Sequence, residues 1–591
     1  MSNTQRMPMV IVMAILGCFY SATLFAQTKV NIEITGIDQP LEDNVRLFLS
    51  IEQQKDHALL TEGRLRRLHV KASQEIVNAL QPFGFYRPLI TSDLTQEPAD
   101  YLTQESADLW RAVYAIDPGP ALPIGVFDFV VSGEMRDDDA LQGLLDKLPL
   151  RQGDAFNHLQ YEQLKTSLAQ FASERGYFKA RFVEHRVDID LQAYVARIHL
   201  HYDSGARAYF GEVRIQQDAL DDDLLHRYIG FEQGSPYTLN QLIDLQRALN
   251  DSDYFRTVEV SPGEPLPDSR EIPVNIVLTP RLSNRYSIGL GYGSDTGARA
   301  KLGWQIPLLN PAGHRFESEA KVSELGYTVA AHYRVPVLNP RTDQMVYSAG
   351  VVNENTDTSE STIRTVGASL KRSRREWRES FSINYEQEDF VVAEQRGVTS
   401  MVIPGVNWNR TWGNNFIYAI DGLRFDLGMR GASEKLISDT SFFQLQGGIK
   451  AISSLGSNDR LIARGNIGRT VTQTFAELPS SLRFFTGGGN SVRGYGYEAL
   501  GPVDANGNVV GGQYLMVGSI ELEHSLNGQW GVAVFYDAGN AANDLTVKLE
   551  RGAGFGFRWK SPVGPIRVDL ASAISREGQP WRLHINIGPD L

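Results

Sequence analysis

One glycine-rich stretch, residues 487–497, carries a single permanent cation: Arg493 lies between Val492 and Gly494 and is followed by Tyr495. The three consecutive glycines that open the stretch have no side chains, so the backbone there can fold back sharply. A guanidinium stays charged and binds carboxylates through planar, two-pronged hydrogen bonds. The chemistry that this stretch predicts is therefore ion pairing of a loop, and the question is where its acidic partners lie.

Two acids downstream of the loop occupy strand-like runs. Glu521 lies within residues 519–523, and Asp537 lies within residues 534–539. A glycine-rich loop with an arginine at its tip, followed by strands that carry inward-facing acids, fits a loop tucked into a barrel and fastened to its wall. An exposed hairpin loop with a solvated Arg493 fits the same residues. The residues alone leave both interpretations open.

Signatures of catalysis and of metal binding are missing from the sequence. It has no Gly-x-Ser-x-Gly elbow, no His-Glu-x-x-His pair and no phosphate-binding loop, and its 11 histidines are scattered. We therefore expect no enzyme activity and no cofactor; an enzyme with a site at the rim of a barrel is the remaining alternative in that class. The net charge of -13 argues against a nucleic-acid partner, which requires clustered Lys and Arg.

Residues 1–26 have the pattern of a secretory signal. Arg6 gives a positive start, residues 9–25 are almost wholly apolar, and Ala26 offers a small residue for cleavage. Cys18, the only cysteine, follows a weakly lipoprotein-like box, but the apolar run continues past it. No second apolar run is long enough for a spanning helix. This does not exclude a membrane barrel, because each barrel strand is apolar only at every second residue.

Three similar units precede residue 283, each with a short strand, amphipathic helices and two more strands. The third unit shows the pattern best, since Leu239, Leu242, Leu245 and Leu249 form one helical stripe. We expect an aromatic pair to close the helical part of each unit and to act as a core anchor, so we assign no site there. The three pairs are Phe85-Tyr86, Tyr177-Phe178 and Tyr254-Phe255.

Residues 283–591 have the alternation of barrel strands. In the first strand apolar residues at even positions from Tyr286 to Tyr292 alternate with Ser287 and glycines. Asn-Pro turns at 309–311 and 338–340 are 29 residues apart, the spacing of two short strands and a loop, and we expect them at the periplasmic end. The segment holds about 16 strands at roughly 19 residues each. The pattern does not say which face is inside; the predicted signal favours a barrel in the outer membrane.

The first and last strands predict a weak seam. Glycines weaken the first strand, and a proline at 589 follows the last strand, where it cannot donate to a ladder. A weak seam can open sideways and offer its edges to another chain. The residues that we assign to this lateral seam are Tyr286, Ile288, Gly289, Gly291, Trp581, Leu583, Ile585 and Ile587.

Three blocks near the end of the chain, at 492–495, 535–539 and 552–570, resemble in order the motifs of the outer-membrane assembly and two-partner-secretion superfamily, to which BamA belongs. The resemblance implies that the loop arginine is locked inside the barrel by acids on neighbouring strands. The positions that match are Arg493 with Asp537 and with Glu521, and which acid pairs with the arginine stays open. The chain ends in Leu591 where many outer-membrane barrels end in an aromatic residue.

The resemblance also implies a domain organisation. The three units resemble α+β POTRA domains, so we expect a signal at 1–26, POTRA domains at 27–121, 122–207 and 208–282, and a transmembrane antiparallel β-barrel at 283–591. Three such domains, the Gly-Pro-acid-Leu ending and the chain length are similar to the TamA branch of the superfamily.

A chain of that branch is expected to help autotransporters or other β-barrel proteins insert into or cross the outer membrane. Its POTRA domains would lie in the periplasm, and its partners would be such clients, the lipid bilayer and an inner-membrane-anchored TamB-like protein. A two-partner-secretion transporter that exports one dedicated passenger is the alternative, although those chains typically have two POTRA domains. A passive porin is a further alternative, but a porin has no need of 250 periplasmic residues.

Overall fold

A computed structural model describes residues 28–57, 59–97, 109–264, 269–281, 284–413, 417–546, 548–561 and 564–587. The predicted signal, the start of the last domain at 282–283 and the chain end at 588–591 lie outside the described residues. Across the described ranges, no helix combines the length and the apolarity needed to cross a bilayer.

The three N-terminal repeats each contain helices and a three-stranded sheet. The first contains β1 (Lys29–Thr35), α1 (Gln39–Phe48), α2 (Ser50–Gln54), α3 (Glu62–Leu80), β2 (Leu89–Gln96) and β3 (Leu109–Asp117). The second contains β4 (Ile124–Ser132), α4 (Asp139–Leu145), α5 (His158–Glu174), β5 (Arg181–Asp190) and β6 (Val195–Asp203). The third contains β7 (Tyr209–Gln216), α6 (Asp222–His226), α7 (Leu239–Asp251), β8 (Phe255–Pro262) and β9 (Glu271–Pro280).

The last strand of each repeat lies in the middle of its sheet. The orders are β1-β3-β2, β4-β6-β5 and β7-β9-β8. The first strand runs parallel to the central strand in the first two repeats, and the second strand runs antiparallel to it. Each sheet therefore has two outer strands, each of which pairs with only the central strand among the described strands of its sheet.

Helical stripes cover these sheets. In α7, Leu242, Leu245 and Leu249 of the predicted stripe are buried, whereas Leu239 at the start of the helix is half-buried. In α5, Leu164 and Leu168 are buried, but Leu159 in the first turn is 60% exposed. The apolar stripe of α5 thus begins one turn later than its leucine spacing indicates.

The aromatic pair of the first repeat lies where that repeat meets the second. Gly84 has a positive φ of 88°, and a Cβ there would lie 2.0 Å from the carbonyl oxygen of Phe156, so only glycine fits. Phe85 packs on the core of the first repeat, whereas Tyr86 packs on the core of the second. The Tyr86 hydroxyl also lies 2.8 Å from Nε2 of His158.

Sixteen strands form one antiparallel sheet in chain order, which confirms the predicted barrel of about 16 strands. The first eight are β10 (Arg285–Gly293), β11 (Gly297–Ile306), β12 (Arg315–Ser323), β13 (Gly326–Pro336), β14 (Asp343–Asn355), β15 (Ser359–Arg374), β16 (Trp377–Val392) and β17 (Gln395–Gly413). The others are β18 (Gly422–Ala432), β19 (Phe442–Ser454), β20 (Asp459–Thr472), β21 (Tyr514–Ser525), β22 (Trp530–Ala542), β23 (Glu550–Ser561), β24 (Gly564–Ser572) and β25 (Trp581–Ile587).

The outer face of the barrel is apolar, and its inner face is polar. In β10 the side chains of Tyr286, Ile288 and Leu290 are 73%, 77% and 84% exposed on the outside. In β21, outward Ile520 is 59% exposed, whereas its inward neighbours Ser519 and Glu521 are buried. Because a water-soluble barrel would bury its apolar set, this arrangement is that of a membrane barrel.

Most of the third repeat shares a compact unit with the barrel, and this part contacts the Asn-Pro turns. The Tyr254 hydroxyl donates a 2.6 Å hydrogen bond to the carbonyl of Gly313, and the Tyr228 hydroxyl donates one of 3.3 Å to that of Pro340. A Cβ at Gly313 would lie 2.5 Å from Leu224, so the contact is close-packed. The two similar turns therefore lie at the same end of the barrel as the third repeat.

Candidate functional site: a lumen loop and its ion-pair cluster

The connection between β20 and β21, residues 473–513, enters the barrel; we call it the lumen loop. Two short 3₁₀ turns and isolated bridges shape it, including one between Thr486 and Leu500. Near its tip Val492, Arg493 and Tyr495 are buried, with 0%, 3% and 3% exposure. Because these side chains face the inner wall of the barrel, the interpretation as an exposed hairpin with a solvated arginine does not describe this loop.

Every N–H donor of the Arg493 guanidinium has an acceptor on the barrel wall. Nε and Nη2 bind the two carboxylate oxygens of Asp537, at 2.7 and 2.9 Å. Nη1 binds Glu521 at 2.7 Å and Asp569 at 3.0 Å, and Nη2 also reaches the Ser519 hydroxyl at 3.4 Å. The structure thus brings together Arg493, Asp537 and Glu521, and it adds Asp569.

An aromatic ring and a glycine column complete the seat of the arginine. The guanidinium carbon lies 3.4 Å from the ring centre of Phe535, a cation–π contact. On β23 a Cβ at Gly552 would lie 1.9 Å from the Arg493 carbonyl oxygen, and one at Gly554 would lie 2.7 Å from the Phe535 ring. These two glycines leave the recess in the wall that admits the loop.

The pairing continues into a larger inner-wall cluster. Arg558 binds Glu521, Glu523 and Asp569 at 2.6–2.8 Å, and Arg460 binds Glu523 at 2.5 Å. Arg464, which lies 3.8 Å from Asp537, brings the total to four arginines and four carboxylates. A buried charge without a partner costs several kcal/mol, so this one-to-one balance makes burial of the cluster tolerable.

The loop has a second anchor near its start, at Glu388 of β16, which is 1% exposed. Its carboxylate accepts hydrogen bonds of 2.8 Å from the hydroxyls of Ser361 and Ser480, and it also binds the hydroxyl and the N–H of Ser481. Nearby, Arg430 donates to the Ser481 carbonyl at 3.1 Å. The lumen loop is therefore fixed on both sides of the barrel, at β16 and at β21–β24.

The predicted seam lies between the two ends of the sheet, and no ladder joins β10 to β25 within the described residues. The two edges are hydrogen-bonded just after β10, where the Ser294 N–H donates to the Ile585 carbonyl at 3.3 Å and the Ser294 hydroxyl accepts from the Ile585 N–H at 3.2 Å. The assigned seam residues lie on these two strands. These positions are Tyr286, Ile288, Gly289 and Gly291 on β10, and Trp581, Leu583, Ile585 and Ile587 on β25.

Sequence reasoning missed several members of the site. Asp569 lies inside the block at 552–570, yet nothing in the sequence marks it as a partner of Arg493. Glu388 and Asp295, which contact the lumen loop from 93 and 194 residues away, carried no local signal at all. Strand register decides which inward-facing side chains meet the lumen loop, and the sequence alone does not show that register.

The charged groups of this site serve to hold the lumen loop against the barrel wall. These groups bind one another, and no set of three His, Cys, Asp or Glu residues within the described ranges is placed to hold a metal. What the arrangement can do is fix a long loop inside the barrel, beside a seam whose described residues form no strand ladder.

Comparison with known proteins agrees with this architecture. Residues 284–590 match the model of the Omp85 superfamily domain. Residues 31–118 match the model of the first POTRA domain of TamA, and residues 126–204 and 208–281 match a POTRA model described as a surface antigen variable number repeat.

Individual relatives are distant. The outer membrane protein assembly factor BamA of Neorickettsia risticii is 22% identical over 95% of this chain and 81% of its own length. BamA of Nitratidesulfovibrio vulgaris is 28% identical over 20% of this chain, and that match spans only 16% of the relative. The crystal structure of BamA from Haemophilus ducreyi without POTRA domains 1–3 aligns with a TM-score of 0.67 at 16% identity, over 79% of this chain and 99% of that one.

The family model covers more than half of the chain, and the fold agrees with it from the POTRA-type repeats to the 16-stranded barrel. Proteins of this superfamily are assembly and transport factors of the outer membrane. The chain belongs to the Omp85 superfamily.

Proposed function

We propose that this protein is an outer-membrane assembly factor of the TamA type, which helps autotransporters or other β-barrel proteins insert into or cross the outer membrane. The observation that carries the proposal is the seam. All neighbouring strands from β10 to β25 are joined by ladders, whereas the described parts of the two end strands are not joined to each other. A passive pore has no use for an unpaired edge that faces lipid.

An unpaired edge can act as a template. Backbone N–H and C=O groups that meet lipid without partners each cost several kcal/mol, so a client strand gains by pairing with β10 or β25. This is strand addition of the kind that sheet edges support in other complexes. The energy comes from the client's own pairing and burial, so the reaction needs no nucleotide.

The lumen loop keeps the barrel in shape during this exchange. Arg493 holds the loop to strands β21, β22 and β24, next to the β25 side of the seam. Without a fixed loop, the inner wall beside the seam would lose the buried side chains of Val492 and Tyr495. We therefore assign Arg493, Asp537, Glu521 and Asp569 as the latch of the lumen loop.

The three repeats would lie in the periplasm, receive clients and dock an inner-membrane-anchored TamB-like protein. The match of residues 31–118 to the model of the first TamA POTRA domain supports the TamA type. The first repeat also presents apolar side chains to solvent, with Leu47 71% and Val70 78% exposed. Its sheet ends in β1 on one side and β2 on the other, and an outer strand of this kind is where an extended partner can add to a sheet.

Client insertion into proteoliposomes tests the proposal. We expect vesicles with the protein to fold a urea-denatured β-barrel client several-fold faster than empty vesicles. A disulfide between Ser294→Cys and Ile585→Cys, whose backbones already touch across the seam, should abolish the gain until it is reduced. The matched control is Ala349→Cys with Val366→Cys, which are direct partners in the β14–β15 ladder. Insertion that is insensitive to the seam lock would overturn the proposal.

Crosslinking in intact envelopes tests the partner. A photo-reactive residue at Val70 should capture a large protein with a single inner-membrane anchor. The same residue at Leu191, which is 51% exposed in the second repeat, serves as the control position. Capture of one secreted passenger instead would favour the two-partner-secretion alternative.

A further inference from the structure

The tip of the lumen loop touches both ends of the barrel sheet at once. On one side Gly489 donates its N–H to Oδ2 of Asp295 at 2.7 Å. Asp295 lies in the turn that joins β10 to β11, at the first edge of the seam. On the other side Gly494 donates its N–H to Nε2 of His584 at 3.0 Å, and His584 belongs to β25 at the last edge.

Further contacts close the bridge. The side chain of Asn490 accepts a 2.8 Å hydrogen bond from that of Asn586, also on β25. Oδ1 of Asp295 and Nδ1 of His584 lie 3.7 Å apart, too far for a hydrogen bond, and neither atom has a hydrogen-bond partner among the described residues. The two edges therefore face each other through one half-buried carboxylate and one buried imidazole, with the loop tip beside them.

The glycines at the tip are what allow this approach. Gly488 has a φ of +99°, and a Cβ there would lie 2.9 Å from Oδ2 of Asp295. A Cβ at Gly489 would lie 3.3 Å from the same oxygen and 3.6 Å from Nδ1 of His584. The triple glycine thus does more than turn the chain, because it also brings backbone N–H groups against the seam.

We infer that Asp295 and His584 are positioning residues that fasten the lumen loop to the two edges of the seam and hold those edges together where strand pairing does not. The inference rests on the proposed function, since it gives the loop a second task besides occupying the lumen. Direct pairing between the edges within the described residues is limited to Ser294 and Ile585. The loop-mediated hydrogen bonds are therefore a large share of what closes the seam.

Contacts at the loop tip would break before the latch does when the seam opens. A client strand that pairs with β10 or β25 must first separate the Asp295 side from the His584 side. The latch at Arg493 lies on β21, β22 and β24, away from the β10 edge. The tip can therefore release Asp295 while the rest of the loop stays fastened, so the seam opens without expelling the loop.

Spin labels across the seam test the inference without any client. Nitroxides at Tyr292→Cys and Ile585→Cys report the distance between the edges through dipolar broadening, and labels at Ala349→Cys and Val366→Cys report an intact ladder. In the full-length protein in lipid, Asp295→Ala should lower the close-range fraction at the seam at least twofold and leave the control pair unchanged. Asp295→Asn retains an oxygen that can accept from Gly489, so it should restore most of that fraction.

Two further variants keep the result interpretable. Asp357→Ala removes an exposed acid from the turn after β14, so it should leave the seam distance unchanged. If Asp295→Ala fails to give a heat-modifiable folded barrel, His584→Ala tests the other edge with the same labels. An unchanged seam distance in folded Asp295→Ala or His584→Ala overturns the inference. A wider seam with unchanged client insertion would support the role of Asp295 and His584 but would contradict the proposed function.

Discussion

Removal of the Arg493 side chain should release residues 492–495 of the lumen loop from the barrel wall, and the structure gives the size of the effect. In Arg493→Ala the cluster keeps four carboxylates but only three arginines, and Asp537, with 0% exposure, loses its two-pronged partner. Breaking a buried ion pair in this way costs about 3–5 kcal/mol. Since about 1.4 kcal/mol is tenfold in an equilibrium, the open population of the loop should rise at least about 100-fold.

A buried cysteine measures that population. Val492→Cys is nearly isosteric and lies at a position with 0% exposure, so a soluble maleimide reacts with it only when the loop opens. We expect Arg493→Ala to raise the labelling rate at least about 100-fold. Asp537→Asn, which leaves Glu521 and Asp569 in place, should raise it roughly tenfold, in line with the loss of one charge-assisted contact of about 1.5–3 kcal/mol.

The matched control is Arg299→Ala. Arg299 is an exposed arginine of β11 that makes no ion pair with any described residue, so its loss should change the rate by less than about a factor of three. A labelling rate in Arg493→Ala that stays within that range would refute the assignment of Arg493 as the latch.

Three other predictions follow from single contacts. Glu388→Ala should loosen the start of the lumen loop and speed proteolysis near Ser480 several-fold, whereas Glu388→Gln, which retains an acceptor, should have a smaller effect. Gly552→Ala should lower the yield of folded, heat-modifiable barrel several-fold, because its Cβ would overlap the carbonyl oxygen of Arg493. Burial lowers the pKa of the His158 imidazole, which the Glu162 carboxylate opposes only in part, so NMR titration should give His158 a pKa below the usual 6.5.

The sign of the His158 effect sets a pH window. A lowered pKa means that the unfolded chain takes up the proton first, so the contact between the first two repeats is most stable above about pH 6.5 and weakens as the pH falls through the lowered value. His158→Gln identifies the resonance, and a His158 pKa at or above 6.5 would contradict the prediction.

For the Gly552→Ala experiment, Gly518→Ala is the control, because a Cβ at Gly518 meets nothing within 4 Å. Equal yields of Gly552→Ala and Gly518→Ala would contradict the proposed recess.

Much of the fold could be predicted because it depends on local periodicity. Alternation in β10 and β25 is a property of neighbouring residues, and so is the leucine stripe of α7. The lumen loop stood out for the same reason, since its glycines and Arg493 are adjacent in sequence. Asp537 was found because it lies in a recognisable strand close to the loop.

The remaining partners depend on which residues share one height inside the barrel. That height follows from the register of every intervening ladder, such as the pairing of Gly556 with Asp569 and of Asp569 with His584. Glu388 and Asp295 illustrate the limit, because each meets the loop only after the sheet has curved around the lumen. The alternation of apolar and polar residues along a strand shows which side chains face inwards, but it does not show which residues those side chains contact.

Crosslinking of a client to the outer face of the seam is the most direct test of the central claim. A photo-reactive residue at Ile288, which is 77% exposed on the β10 edge, is compared with one at Ile383, which is 54% exposed on the outside of β16. Both positions face lipid, but β16 is paired on both sides. We predict client crosslinks at Ile288 during assembly and none above background at Ile383. Equal crosslinking at the two positions, or none at Ile288 while the client folds, would contradict the account.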